Sequence, residues 1–112
     1  MKSLLKPLIA LASLASIAGL SAALAASATD NYDNHCAKCH GADGKGQTKM
    51  GKKLNVRDMT TEAYKKELDD AKAVKSLKEG IKKDGKEIKK SFASELSDAE
   101  LNALVAHVRA FK

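Results

Sequence analysis

The chain is poor in the residue types that commonly stabilise small proteins. Its 112 residues include two cysteines, one proline (Pro7) and no tryptophan, and aromatic side chains make up 4% of the total. A conventional zinc site needs four ligands, but His35, Cys36, Cys39 and His40 are too close in sequence to close a tetrahedron, and a second pair of cysteine and histidine residues is absent. No stretch shows the alternation of apolar and polar residues that is typical of strands. A chain this short and this poor in aromatics cannot bury enough apolar surface to be very stable alone.

Both cysteines fall in one run, Cys36-Ala37-Lys38-Cys39-His40. Two cysteines separated by two residues and followed directly by histidine form the c-type haem attachment pattern. Positions three apart lie on one face of a helical turn, so both thiols can form thioethers with the vinyl groups of one haem. His40 can then supply a ring nitrogen to the iron as proximal ligand. We therefore expect one covalently attached haem c, with its iron, held by Cys36, Cys39 and His40.

Residues 1–26 have the layout of a secretory signal peptide. Two lysines precede an uncharged apolar stretch over residues 8–24, and small residues follow, so we expect cleavage at 25–28. A retained membrane anchor is the alternative, because the apolar run approaches the lower limit for a span. Thioether attachment of haem takes place outside the cytoplasm. We therefore expect a periplasmic or otherwise secreted protein without a retained span, whose single domain covers residues 27–112.

Basic residues outnumber acidic ones, 20 to 14, and the formal net charge is +6. In a secreted protein this excess favours an acidic protein partner or an anionic membrane surface over nucleic acid. We expect a monomer that binds the acidic patch of a redox partner weakly, rapidly and in a salt-sensitive way. Simple solubilisation is the alternative role of these side chains. The lysines cluster after the attachment motif and before the last predicted helix: Lys45, Lys49, Lys52, Lys53, Lys82, Lys83, Lys86, Lys89 and Lys90.

Apolar residues recur at helical spacing. We predict a first helix over residues 30–40, helical structure over residues 61–83 with a break near Asp69, and a connecting loop over residues 86–95. The last helix begins at the capping box Ser97-Asp98-Ala99-Glu100. Its apolar positions are Leu101, Leu104, Val105, Val108 and Phe111. The predicted fold class is all-α, with three to five short helices around one haem.

Two of these segments resemble a class I c-type cytochrome of the small bacterial monohaem kind. Residues 32–46 look like that family's first helix and following loop, and residues 96–111 look like its C-terminal helix. The resemblance implies the cytochrome c fold, in which the first and last helices cross and one haem edge is exposed. It also implies a single-electron carrier that is not an enzyme.

The chain departs from this family at the second axial ligand. The resemblance implies a methionine in the loop before the last helix, followed by proline and an aromatic residue. Phe92 fits the aromatic residue, but Lys89 occupies the position of the methionine. Met50 and Met59 both lie upstream. The mature chain also has no proline whose carbonyl could orient the proximal imidazole.

Several distal ligands remain open at this point. The neutral amine of Lys89 or Lys90 is one, although deprotonating an amine with a pKa of about 10.4 at pH 7 costs roughly 4.6 kcal/mol. Met59 or Met50 is another, although methionine at either position also suits core filling. A third possibility is an open or water-bound iron that binds carbon monoxide or nitric oxide. A bis-histidine site completed by His35 or His107 is the last.

The distal ligand bears directly on function, because axial ligands shift haem potentials across about 0.8 V. We expect lysine or water to give a lower potential than methionine. The alternative function is a haem protein with an open or lysine-ligated distal site that acts in small-ligand binding or peroxide chemistry. A dithiol oxidoreductase would also use Cys-x-x-Cys, but usually on a βαβ scaffold, and no strand is predicted.

Overall fold

The computed structural model describes residues 15–112, and in this part of the chain six helices and one two-stranded sheet are present. The all-α fold class is confirmed, with one helix more than predicted. The elements are α1 (Ala15–His35), α2 (Ala37–His40), α3 (Lys49–Leu54), α4 (Glu62–Glu67), α5 (Asp70–Glu79), β1 (Ile81–Lys83), β2 (Lys86–Lys89) and α6 (Asp98–Arg109).

The N-terminal helix is longer than predicted. The expected start at Asp30 is wrong, because α1 already includes the alanine-rich segment before it, and alanine is the best helix former. The first 14 residues of the predicted signal peptide lie outside the described residues, so its cleavage stays a prediction. Between residues 15 and 112, no helix combines the length and the hydropathy needed to cross a membrane.

The N-terminal and C-terminal helices pack across each other. The Tyr32 ring lies 5.0 Å from the His107 ring and 5.2 Å from the Phe111 ring, measured between centroids. Leu101 is fully buried in the same core. The predicted capping box is confirmed, since Ser97 and Glu100 bond reciprocally at the start of α6. The packing of α1 on α6 therefore forms the base on which the site is built.

The predicted break near Asp69 is also confirmed. The Asp69 carboxylate accepts a hydrogen bond from the backbone N–H of Lys72, 3.0 Å away, and so caps α5. The Arg109 guanidinium at the end of α6 donates to the Leu68 carbonyl at 2.9 Å and pairs with Asp70. The break between α4 and α5 is thereby tied to the last helix.

A β-hairpin occupies part of the segment predicted as helix and loop. β1 and β2 pair antiparallel, with Ile81 opposite Lys89. The turn residues Asp84 and Gly85 both have positive φ, 52° and 76°, and Asp-Gly is a strong signal for this kind of turn. The prediction missed the hairpin because both of its faces are largely exposed, which removes the apolar alternation that marks a half-buried strand.

Candidate haem site

Two cavities adjoin the attachment motif. The first has apolar walls that include Met59, Leu77 and Leu104. The second has Val56 and Phe92 among its lining residues. Apolar clefts with few polar groups are typical of cofactor sites. The space beside the motif is therefore suited to a large apolar group.

The attachment motif forms a tight helical turn. The backbone N–H of Cys36 donates to the Tyr32 carbonyl at 2.8 Å, and the N–H of His40 donates to the Cys36 carbonyl at 3.0 Å. Cys36 and Cys39 are free thiols, each half-buried. Both cysteines and His40 line the second cavity. The structure thus brings the three residues that the sequence singled out to one wall.

His40 is held in an unusual electrostatic environment. Burial lowers its pKa, and the nearby charge of Lys89 lowers it further. A neutral imidazole is the form that binds a metal. Its Nδ1 atom is buried and has no hydrogen-bond partner among residues 15–112. Buried polar atoms without a partner are uncommon. Within the described residues, no carbonyl takes the place of the missing proline in orienting the ring.

The segment that follows the attachment motif is hydrogen-bonded to the attachment turn. The Thr48 hydroxyl donates to the Cys39 carbonyl at 2.6 Å and accepts from the Gly51 N–H at 2.8 Å. A Cβ on Gly51 would collide with the carbonyls of Cys39 and Gly46, so only glycine permits this approach of α3. Sequence reasoning missed Thr48 and Gly51, although a threonine just before a helix is a common N-cap signal.

Tyr32, on α1, is hydrogen-bonded to the chain just after the attachment turn. Its hydroxyl donates to the Gly41 carbonyl at 2.6 Å. Burial raises the pKa of Tyr32 far above its ordinary value, so the hydroxyl keeps its proton and remains a donor at any physiological pH. This bond links the first helix to the glycine-rich segment that follows the motif.

The candidate distal ligands lie in different surroundings. Lys89 is half-buried and lines both cavities, and burial lowers its pKa. Met59 is 4% exposed, belongs to the hydrophobic core and lines the first cavity. Lys90 is exposed and pairs with Glu95. The structure therefore brings Lys89 and Met59 to the site; Lys90 also lines the second cavity, but its amine is paired with Glu95.

The remaining candidates are less well placed. Met50 is half-buried on α3 and lines neither cavity. His107 is packed between the rings of Tyr32 and Phe111. His35 lines the second cavity, but its ring packs against Phe92 at a centroid distance of 5.1 Å. The two histidines are thus engaged in aromatic contacts.

Gly80 positions the segment that carries Lys89. Its φ is +75° and its ψ 179°, a region that is essentially restricted to glycine. A Cβ there would lie 2.6 Å from the Lys89 carbonyl oxygen and 2.9 Å from the Ser91 nitrogen. Close contact between the end of α5 and the chain around Lys89 therefore depends on a residue without a side chain.

Gly80→Ala is expected to destabilise the protein by about 1–3 kcal/mol through backbone strain and to move Lys89. Thermal unfolding followed by circular dichroism measures the loss. Gly85→Ala is the matched control, because Gly85 also has positive φ, +76°, but nothing lies within 4 Å of its Cβ position. Equal destabilisation by the two substitutions would show that the contact with Lys89 contributes nothing.

The geometry agrees with comparisons to known proteins. Residues 25–112 match the cytochrome c family. The solved structure of KustC0563 c-type cytochrome is 29% identical to the chain, with a TM-score of 0.64, and the match covers 76% of this chain and 96% of that one. A tyrosine-to-phenylalanine variant of the same cytochrome gives 29% identity, a TM-score of 0.66 and coverage of 77% and 99%.

No curated protein is significantly similar to the chain. The residues present fit a haem, because an apolar cavity, two free thiols and a half-buried imidazole, whose Nδ1 has no partner among residues 15–112, meet at one place. Both the family match and the site therefore lead to one conclusion: the chain belongs to the cytochrome c family of haem-based electron carriers, with a covalently bound haem c and its iron.

Proposed function

We propose that the protein carries single electrons in the periplasm or another secreted compartment. Cys36 and Cys39 attach the haem, and His40 is the proximal iron ligand. The observation that carries this proposal is that both thiols and the imidazole line one cavity. When bound, the haem supplies a one-electron ferric–ferrous couple.

The protein's own contribution is to hold and shield this group. Two thioethers fix its orientation at the attachment turn, and the bonds from Tyr32 and Thr48 keep the turn rigid. The apolar walls, which include Leu77, Leu104 and Val105, exclude water from one side. Burial and axial ligation are among the properties by which a protein sets the potential of a haem.

The exposed lysines are arranged to meet an acidic partner. Leu54 of α3 and Ile81 and Ile88 of the hairpin line the second cavity, so these two elements border its opening. Both carry exposed lysines outside it: Lys49, Lys52, Lys53, Lys82, Lys83 and Lys86. We propose that this basic border attracts the acidic patch of a redox partner, which speeds association and makes it sensitive to salt.

Measurements on the matured protein, with its haem attached, test this function. We expect haem staining on a denaturing gel and a redox titration with the slope of a one-electron couple. We further expect reduction by anionic ferrocyanide to slow as salt is added, because salt screens attraction. Cationic hexaammineruthenium is the matched control and should show the opposite trend. Rapid turnover of peroxide by the ferric protein would contradict simple electron carriage and favour the alternative function.

A further inference from the structure

Lys89 is an anomaly in the wall of the site. It is half-buried, and the first cavity around it is lined mostly by apolar side chains such as Leu68, Ala73 and Leu77. Its side chain forms no hydrogen bond or ion pair within residues 15–112, whereas the neighbouring Lys90 pairs with Glu95. A half-buried lysine that lines an apolar space and has no partner among the described residues is available to a group bound in that space.

The two cavities locate that partner. Of the described residues, three line both cavities: Cys36, His40 and Lys89. Two of these belong to the attachment motif, and the third lies at the end of β2. Lys89 therefore shares the space beside the proximal imidazole.

The backbone around Lys89 is firmly placed. Lys89 pairs with Ile81 across the hairpin. Just beyond it, the Ser91 hydroxyl donates to the Lys78 carbonyl, and the Phe92 N–H donates to the Leu77 carbonyl at 2.8 Å. These two bonds anchor the segment just after Lys89 to the end of α5, and the hairpin pairing holds Lys89 itself.

Met59, the competing residue, has a role without the iron. It is 4% exposed within the core, and its backbone N–H donates to the Gly44 carbonyl at 2.8 Å. It lines the first cavity together with His40 and Lys89 but, unlike Lys89, it does not line the second. Methionine is a common filler of irregular core gaps, which explains Met59 fully.

We propose that Lys89 is the distal axial ligand of the haem iron. The proposal rests on the haem site described above. The Nζ lone pair forms the bond to iron, and the ammonium proton passes to solvent. An apolar environment favours this neutral amine over the ammonium ion. The protein is then a histidine–lysine cytochrome, and it is closed to external ligands in its resting state.

Absorption and electron paramagnetic resonance spectra of the matured protein test the proposal. We expect a low-spin ferric spectrum without a sulfur-to-iron charge-transfer band, and no rapid binding of carbon monoxide by the ferrous form. Lys89→Ala should convert the iron to high spin and open it to carbon monoxide. Lys89→Met, which keeps a long side chain at the site, should restore low spin, introduce the sulfur band and raise the potential. This second variant preserves the test if the alanine variant does not fold.

The control is Lys86→Ala, on the same strand but exposed, which should leave the spectra unchanged. A sulfur band in the wild type that is lost in Met59→Leu would overturn the proposal in favour of methionine. A wild type that is already high spin, or a low-spin spectrum that persists in Lys89→Ala, would overturn it as well. Failure of the haem-carrier function is a distinct result, because haem staining would then be absent from every variant.

Discussion

Replacing Cys36 and Cys39 together by alanine is expected to abolish covalent haem attachment and most of the protein's stability. These are the two cysteines of the chain, so no other thiol can replace them. Without the haem, the apolar side chains that line the first cavity lose the group that would cover them. A domain of this size has about 5–15 kcal/mol of stability in total, and we expect the bound group to contribute the larger part.

Haem staining on a denaturing gel and thermal melts followed by far-ultraviolet circular dichroism measure the two effects. Cys36→Ala alone is the control, since it leaves one thioether and should retain part of both the staining and the cooperative transition. A double variant that still unfolds cooperatively at the wild-type temperature without haem would show that the helical core folds independently of its cofactor.

Leu101→Ala is expected to lower the free energy of unfolding by about 3 kcal/mol, within the range for emptying a fully buried leucine site. Leu101 is 0% exposed and belongs to the core that α1 and α6 share with Tyr32. For a domain of under 100 residues, this loss corresponds to a fall of about 12–24 °C in Tm. Leu101 lines neither cavity, so the haem spectrum should not change.

Chemical denaturation monitored by circular dichroism gives the free energy, and the visible spectrum reports on the haem. Asn102→Ala is the neighbouring control. Asn102 is exposed on the same helix, and a surface substitution of this kind usually costs within about 0.5 kcal/mol. A similar loss in both variants would mean that the helix itself, rather than packing at the helix crossing, limits stability. A spectral change in Leu101→Ala would mean that the core and the haem site are coupled.

The distal ligand determines how the electron carrier would work. Nitrogen ligation by Lys89 is expected to stabilise ferric iron relative to methionine ligation, and thus to lower the potential. A lower potential means that only a stronger reductant can reduce the protein, whereas the reduced protein can also pass its electron to weaker oxidants. If Lys89 dissociates, the same iron becomes open to small ligands. The electron-carrier function and the alternative ligand-binding function thus differ by one bond, the bond between Lys89 and the iron.

Local signals in the chain were sufficient for much of the fold and for the proximal half of the site. The Cys36–His40 spacing, the Ser97–Glu100 capping box and the break at Asp69 each depend on residues three or four positions apart. Interactions at that range are decided by the backbone geometry of a single helical turn. They can therefore be inferred before any long-range contact is known.

The long-range contacts were decided by the tertiary structure. The hairpin left no apolar alternation in the sequence, because both of its faces are largely exposed. The placement of Lys89 at the same cavity as His40 joins segments far apart along the chain. Lys89, at the position of the methionine of the resembled family, and Met59 were both possible distal ligands from the sequence. Their different surroundings arise from packing of β2 and the core against the attachment turn, and packing depends on the whole fold rather than on neighbouring residues.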